Sequence, residues 1–155
     1  MGIQFLDQRI SIHRSDSDGT TVLSATPLFI GDLGLQVLAA IPAGNTSNVR
    51  VALDGTVGIG TDTGIQATIR LTVERNSNGT AGTGVVILTE SFPTAGMTVI
   101  PPISVTAADF PPAAAVLAGQ IRYTLFIAVH VAEGTITLTG PVVFNGSASA
   151  GTTTG

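Results

Sequence analysis

Residues 65–74 read IQATIRLTVE, with an apolar residue at every odd position and a polar or charged residue at every even one. An alternation with a period of two is typical of a β-strand that buries one face. Residues 121–131 repeat the alternation over a longer run, and residues 49–54 repeat it over a shorter one. The pattern therefore predicts strands at these three places, with no amphipathic helix among them.

Other parts of the chain carry the same signal between turn residues. Further strands are predicted at residues 3–12, 21–23, 35–41, 55–60, 85–92, 98–105 and 135–144. Asn76-Ser77-Asn78-Gly79 is typical of a hairpin loop, and residues 113–117 fit a single helical turn. Eight to ten short strands at this spacing predict an all-β fold, a jelly-roll-like antiparallel β-sandwich.

The chain divides by composition into three parts. Residues 1–20 form either an N-terminal connector arm or the first strand, because they are the more polar end of the chain. Residues 21–146 are predicted to form a single jelly-roll domain, since no linker interrupts them. Residues 147–155 form a predicted tail rich in Gly, Ser and Thr.

The charge balance is unusual for a globular protein. Charged residues are 10% of the 155, and the formal net charge is −4, whereas a typical domain has roughly 25% charged residues. An acidic chain lacks the basic surface that nucleic acid requires. A chain with so little charge cannot cover itself with a charged surface, which predicts that much of its surface is buried against other copies.

Several residue types are absent, and their absence excludes whole classes of chemistry. The chain has no Cys and no Lys, so it cannot form disulfides, thiolate metal sites or a Schiff base. Its longest nearly apolar run, Phe110 to Gly119, is shorter than a membrane helix and contains two prolines. The N-terminus has no signal-peptide pattern, so the sequence predicts no membrane partner.

The sequence offers little for catalysis or metal binding. Only His13 and His130 could act as a general base, and no Gly-x-Ser-x-Gly motif occurs. Asp16 and Asp18, followed by Gly19, resemble part of a calcium loop, yet Arg14 stands where the first Asp of that loop belongs. Asp16 and Asp18 are therefore weak metal candidates. We expect no enzymatic activity, no cofactor and no small-molecule substrate.

Several stretches resemble one family of spore-surface proteins. These are LDGTVGI at 53–59, IRLTVERN at 69–76, ADFPP at 108–112, YTLFI at 123–127 and GPVVFNGS at 140–147. Together they are similar to the exosporium protein C type, over roughly residues 49–149. The resemblance implies a jelly-roll protein of the outer layers of Bacillus-type endospores, in the exosporium or an endospore appendage, made in the mother cell without a signal peptide. Some appendage proteins of this kind crosslink through Cys, which this chain lacks.

These observations together predict a structural protein that assembles with itself and with other spore-surface proteins. The predicted subunit polymerises non-covalently, through apolar faces and strand addition, into a surface layer or an appendage fibre. Ile3, Phe5, Ile10 and Ile12 are the predicted assembly residues, since they give the N-terminal segment apolar side chains. The alternative is a trimeric binding or adhesion module of the complement or tumour-necrosis-factor type.

Overall fold

A computed structural model describes residues 2–62, 64–131 and 134–151. Nine strands and two short helical segments lie in this part of the chain. In chain order they are β1 (Gln4–Arg14), β2 (Thr21–Val22), β3 (Leu28–Gln36), a 3-10 turn (Leu38–Ala40), β4 (Val49–Thr61), β5 (Ala67–Arg75), β6 (Val85–Pro93), β7 (Ile103–Asp109), α1 (Ala113–Leu117), β8 (Gln120–Val131) and β9 (Ile136–Ala150). The predicted helical turn at residues 113–117 is confirmed as α1.

The strands form two antiparallel sheets. Sheet A has the order β1-β9-β4-β7, with the short β2 also paired to β9, and sheet B has the order β3-β8-β5-β6. Leaving β2 aside, β1 pairs with β9, β3 with β8, β4 with β7 and β5 with β6. The chain is therefore folded like one long hairpin that is rolled up into two sheets. That strand order defines a jelly roll and confirms the predicted fold class.

The core lies between the sheets because β3, β4, β5, β7, β8 and β9 turn apolar positions inward. In β5 the odd-numbered residues 67–73 are buried, as the alternation predicts. In β9 every even-numbered residue from Ile136 to Ala150 is buried, and every odd-numbered one is half-buried. Inward-facing residues of both sheets belong to one hydrophobic cluster, so the sandwich has a single core.

A buried polar cluster ties the two sheets together at one end. Arg75 of sheet B donates from Nη1 to both carboxylate oxygens of Asp109 of sheet A, at 2.8 and 2.7 Å. The hydroxyl of Tyr123 also donates to Asp109, at 2.7 Å. Burial, and then the hydrogen bond to Asp109, raise the pKa of Tyr123, so this phenol stays a donor at neutral pH.

Two predicted strands lie elsewhere than expected. The strand predicted at 35–41 is β3, which ends at Gln36 and begins at Leu28. After Val37 the backbone closes into a turn, because the N–H groups of Ala40 and Ile41 donate three residues back. The strand predicted at 98–105 is instead β7, which begins at Ile103, because Pro101 and Pro102 have no N–H to donate to a ladder.

The first and last described strands, β1 and β9, both belong to the sandwich. Of the two alternatives for residues 1–20, the structure has the first strand: β1 pairs with β9 from Gln4 to Arg14. At the other end, β9 continues to Ala150, four residues beyond the predicted domain boundary. Ala148 and Ala150 are fully buried and pair with Val51 and Val49 of β4 in the same sheet. Residues 152–155 of the predicted tail lie outside the described residues.

Candidate assembly surface

The four predicted assembly residues are all exposed. Ile3, Phe5, Ile10 and Ile12 have 56%, 65%, 65% and 63% of their surface accessible. We call these four residues the apolar strip. Strand β1, which carries three of them, lies at one end of the strand order of sheet A, so the strip follows an edge of the sandwich.

A β-bulge places the three residues of the apolar strip that belong to β1 on the same side of the strand. Phe5 is opposite Ser149, Ile10 is opposite Asn145 and Ile12 is opposite Val143. These three partners are odd-numbered positions of β9, which face away from the core. The odd spacing between Phe5 and Ile10 would put them on opposite faces of a regular strand, but the register shifts between Phe5 and Asp7. The strip therefore lies on the outer face of sheet A.

The rest of this outer face carries small and mostly polar side chains. The strand register aligns it in rows that run across β9, β4 and β7. The rows are Ser149–Arg50, Ser147–Ala52–Ala108, Asn145–Asp54–Thr106 and Val143–Thr56–Ser104. Apart from Arg50, the side chains in these rows are small or of medium size, so a flat partner surface could approach the sheet closely.

Two charged residues of β4 face outward here without an ionic partner. Neither Arg50 nor Asp54 forms an ion pair with any residue in the described ranges. The Nη1 atom of Arg50 is buried without a hydrogen-bond partner among those residues. Asp54 accepts one hydrogen bond, from the side-chain amide of Asn145 at 3.0 Å. The sequence alternation already placed both residues opposite the apolar ones, but it did not mark them as a pair.

The outer face of sheet B is partly covered by the chain itself. The loop of residues 76–84, which joins β5 to β6, is anchored by Glu74, whose carboxylate accepts from the N–H groups of Gly82 and Gly84 at 2.7 and 2.8 Å. Ser77 of this loop donates to Thr124 of β8 at 2.9 Å. Glu74 is 1% exposed and Thr124 is fully buried, although the alternation predicts that both face outward.

Aromatic packing and an ion pair extend this cover, while Arg70 and His130 on the same side of sheet B stay exposed. Phe126 is 2% exposed and meets the edge of Phe29, with ring centres 6.2 Å apart. Arg122 donates from Nε and Nη2 to the two carboxylate oxygens of Asp32, at 2.8 and 3.1 Å. The hydrogen bond to Asp32 raises the pKa of Arg122 above its usual value. Sequence reasoning did not find Asp32, since 90 positions separate it from Arg122.

The two histidines lie far from one another. His13 is an exposed residue of β1 in sheet A, and His130 is an exposed residue of β8 in sheet B. His130 lines an open groove of about 680 Å³ together with Thr68 and Pro93. Within the described residues, no three His, Asp or Glu side chains come together in a way that could hold a metal ion.

The weak metal candidates lie in a surface turn. The carboxylate of Asp16 accepts from the N–H of Asp18 at 3.0 Å and pairs with the guanidinium of Arg14. The N–H of Asp18 and the charge of Arg14 lower the pKa of Asp16. A cation at this carboxylate would have to compete with Arg14, so the turn offers it little.

Comparisons with known proteins extend the description of the fold only. No protein-family model and no curated protein matches the sequence. Among solved structures, the chain is similar to the infectious bursal disease virus Gx strain (9% identity, 93% of this chain and 30% of that chain, TM-score 0.46) and the VP2 subviral particle of that virus (10%, 93% and 41%, 0.45). It is also similar to the Eiger TNF of S. frugiperda, with 16% identity over 98% of this chain and 96% of that one, at a TM-score of 0.45.

The likeness to these solved structures is distant. The chain spans less than half the length of the viral proteins, and each TM-score is below 0.5. The jelly-roll assignment rests on the strand order of the two sheets. Within the described residues, no helix is long and apolar enough to cross a membrane.

Proposed function

We propose that the protein is a structural subunit that associates with copies of itself through the outer face of sheet A. The observation that carries the proposal is the apolar strip, four large side chains that are each more than half exposed along one edge. Exposed apolar side chains grouped along one edge of a small protein are typical of an interaction site, and on the outward side of β1 Gln8 alone separates Phe5 from Ile10. The low charge of the chain, 10% of residues, supports the same reading.

The energetics favour contact between faces over exchange of β1. Burial of an Ile or Phe side chain contributes about 1.5–3 kcal/mol, and the strip is already ordered as part of its own sheet. Exchange of β1 would first break its ladder with β9, at about 0.5–1.5 kcal/mol net for each hydrogen bond. Strand addition, the other predicted route, is then left to the edges of the sheets, which are β1, β7, β3 and β6.

The place where such a subunit acts rests on the sequence resemblance. A spore surface, synthesis in the mother cell and contacts with other spore-surface proteins stay predictions, as does the expectation that the protein is not an enzyme. The choice between a polymer and a trimeric binding module is decided by the size of the assembly.

A pair of matched variants tests the proposal. Phe5→Ser combined with Ile10→Ser removes the centre of the strip, while Val85→Ser combined with Val86→Ser removes two similarly exposed side chains from β6 of sheet B. We expect the first variant to be monomeric in sedimentation velocity and the second to associate as the wild type does. A discrete mass of three subunits for the wild type would favour the trimeric module. Equal association by both variants would overturn the proposal.

A further inference from the structure

The outer face of sheet A is complementary to itself in one orientation. Arg50 and Asp54 lie on the same outward face of β4, with Ala52 between them. Four strand residues span about 13 Å, which is too far for the two side chains to pair within one chain. Neither residue therefore has an ionic partner among the described residues of its own chain, but Asp54 of a second copy could pair with Arg50, and Arg50 of that copy with Asp54.

We propose that two copies of this chain pack these faces together about a two-fold axis, which lies in the interface and crosses the strands at the row of Ser147 and Ala52. The inference rests on the proposed self-association and specifies its geometry. Rotation about this axis keeps each strand over its own counterpart and reverses its direction. Arg50 then faces Asp54 of the second copy, and the reciprocal pair forms on the other side of the axis.

The same rotation matches the apolar strip. Phe5 and Ile10 lie in the rows of Arg50 and Asp54 respectively, so Phe5 of each copy faces Ile10 of the other. At the axis, Gln8, Ser147 and Ala52 meet their own counterparts, and the small side chains of Ser147 and Ala52 allow the centre of the sheets to pack about 10 Å apart. Apolar residues thus meet apolar ones at the edge, and opposite charges meet over β4.

The other two-fold axis within the interface does not achieve this match. An axis along the strands leaves every residue in its own row, and the row of Arg50 contains Phe5 and Ser149 but no carboxylate. Arg50 would be covered without a counter-charge, which is costly when its guanidinium is desolvated. Charge complementarity therefore selects the axis across the strands.

Charge reversal tests this geometry. Arg50→Asp leaves a face with only negative charge, and Asp54→Arg leaves a face with only positive charge. We expect each variant alone to dissociate about tenfold more readily than the wild type. An equimolar mixture should form a heterodimer, and the chain that carries both reversals should recover self-association. Arg70→Asp, on the exposed outer side of sheet B, is the control and should associate normally.

The outcomes separate the two proposals. A wild type that stays monomeric overturns the self-association and with it this geometry. If the wild type associates, two results overturn the geometry alone. The reversal variants associate as well as the wild type, or the mixture of the two variants does not recover association. Far-UV circular dichroism and urea unfolding establish that each variant is folded.

A crosslinking experiment keeps the geometry testable if a reversal variant fails to fold. The chain has no Cys, so Ala52→Cys and Thr56→Cys each introduce a single thiol. Sheet faces about 10 Å apart are too distant for a disulfide, but a bismaleimide with a two-carbon spacer can bridge residues at the axis. We expect Ala52→Cys to crosslink as a dimer several times faster than Thr56→Cys, which lies two rows from the axis. Equal rates would overturn the proposed axis.

Discussion

The two outer faces of the sandwich are built from the same alternating pattern, but they differ in how far the chain covers them. Sheet B is partly covered by residues 76–84 and by Phe29, and its outward-facing Glu74, Thr124 and Phe126 are all buried. Sheet A keeps its apolar strip exposed, and the guanidinium of Arg50 lacks an ionic partner in the described part of the chain. The chain thus covers part of the outer face of sheet B by itself and leaves the apolar strip of sheet A exposed.

This difference indicates which residues serve stability and which serve association. Side chains on the covered face exchange contacts with water for contacts within the chain, so their loss should destabilise the fold. Side chains on the open face make few contacts within the chain, so their loss should leave the fold intact and weaken only the contact between copies. The predictions that follow test this separation, in order of decreasing effect on stability.

Phe126→Ala should have the largest effect. The ring is almost completely buried on the covered face and packs against Phe29, and Phe→Ala substitutions at buried sites cost about 3–5 kcal/mol. Chemical denaturation measures the loss of unfolding free energy. Phe29→Ala, at the more exposed partner ring, should cost clearly less. Equal losses from both substitutions would show that Phe126 is not the centre of this cover.

Glu74→Ala should lower the unfolding free energy by about 2–3 kcal/mol, because it leaves two loop N–H groups without their acceptor. Those donors are Gly82 and Gly84. Hydrogen exchange should report faster exchange of both amides, with little change in the strand amides of sheet A. A variant with unchanged exchange in the loop would contradict the anchoring role of Glu74.

Some of this arrangement could be predicted from the sequence, and some could not. Strand β5 follows from strict alternation and β8 from an alternation that Phe126 and Ala128 interrupt. The bounds of β3 do not follow from the pattern, because Gly31, Asp32 and Gly34 interrupt its apolar residues. The end of β9 was assigned to a tail because Ser147 to Ala150 resembles a low-complexity segment, although its small residues alternate inward and outward.

The sites depend on contacts that alternation alone does not contain. The apolar strip was predicted from the residue types of the N-terminal segment, and its exposure could only be seen once β1 was paired with β9. The burial of Phe126 depends on Phe29, 97 positions away by residue number (126 − 29). Whether Arg50 of one copy can face Asp54 of a second copy depends on how the rows align across β1, β9 and β4.

Acid should weaken the link between the sheets at β1. Burial raises the pKa of Asp7, but the N–H of Gln36 and the guanidinium of Arg9 donate to its carboxylate and lower the pKa below its ordinary value of 3.8. A lowered pKa in the folded state contributes stability above the unfolded pKa, and this stability is lost as pH falls through the folded value. Asp7→Asn should therefore be less stable than the wild type near neutral pH.

Urea midpoints between about pH 6 and pH 2.5 measure this difference. The gap between wild type and Asp7→Asn should close as the pH falls below 3.8. A gap that is constant over the whole range would mean that the charge of Asp7 does not contribute.

Ile12→Ser, on the open face, should have the smallest effect on stability. The side chain is 63% exposed, and substitutions at exposed sites usually change the unfolding free energy by less than about 0.5 kcal/mol. The same substitution should weaken self-association. A loss of stability comparable to that of Glu74→Ala would show that the strip belongs to the fold of the single chain.

Sedimentation velocity of the wild-type protein over a micromolar concentration series tests the central claim most directly. The runs should contain reductant and chelator, because the chain has no Cys and the proposed contact uses no metal. We expect a mass above the 15.6 kDa of one chain that rises with concentration and is unaffected by either reagent. A single species of 15.6 kDa at every concentration would contradict the account.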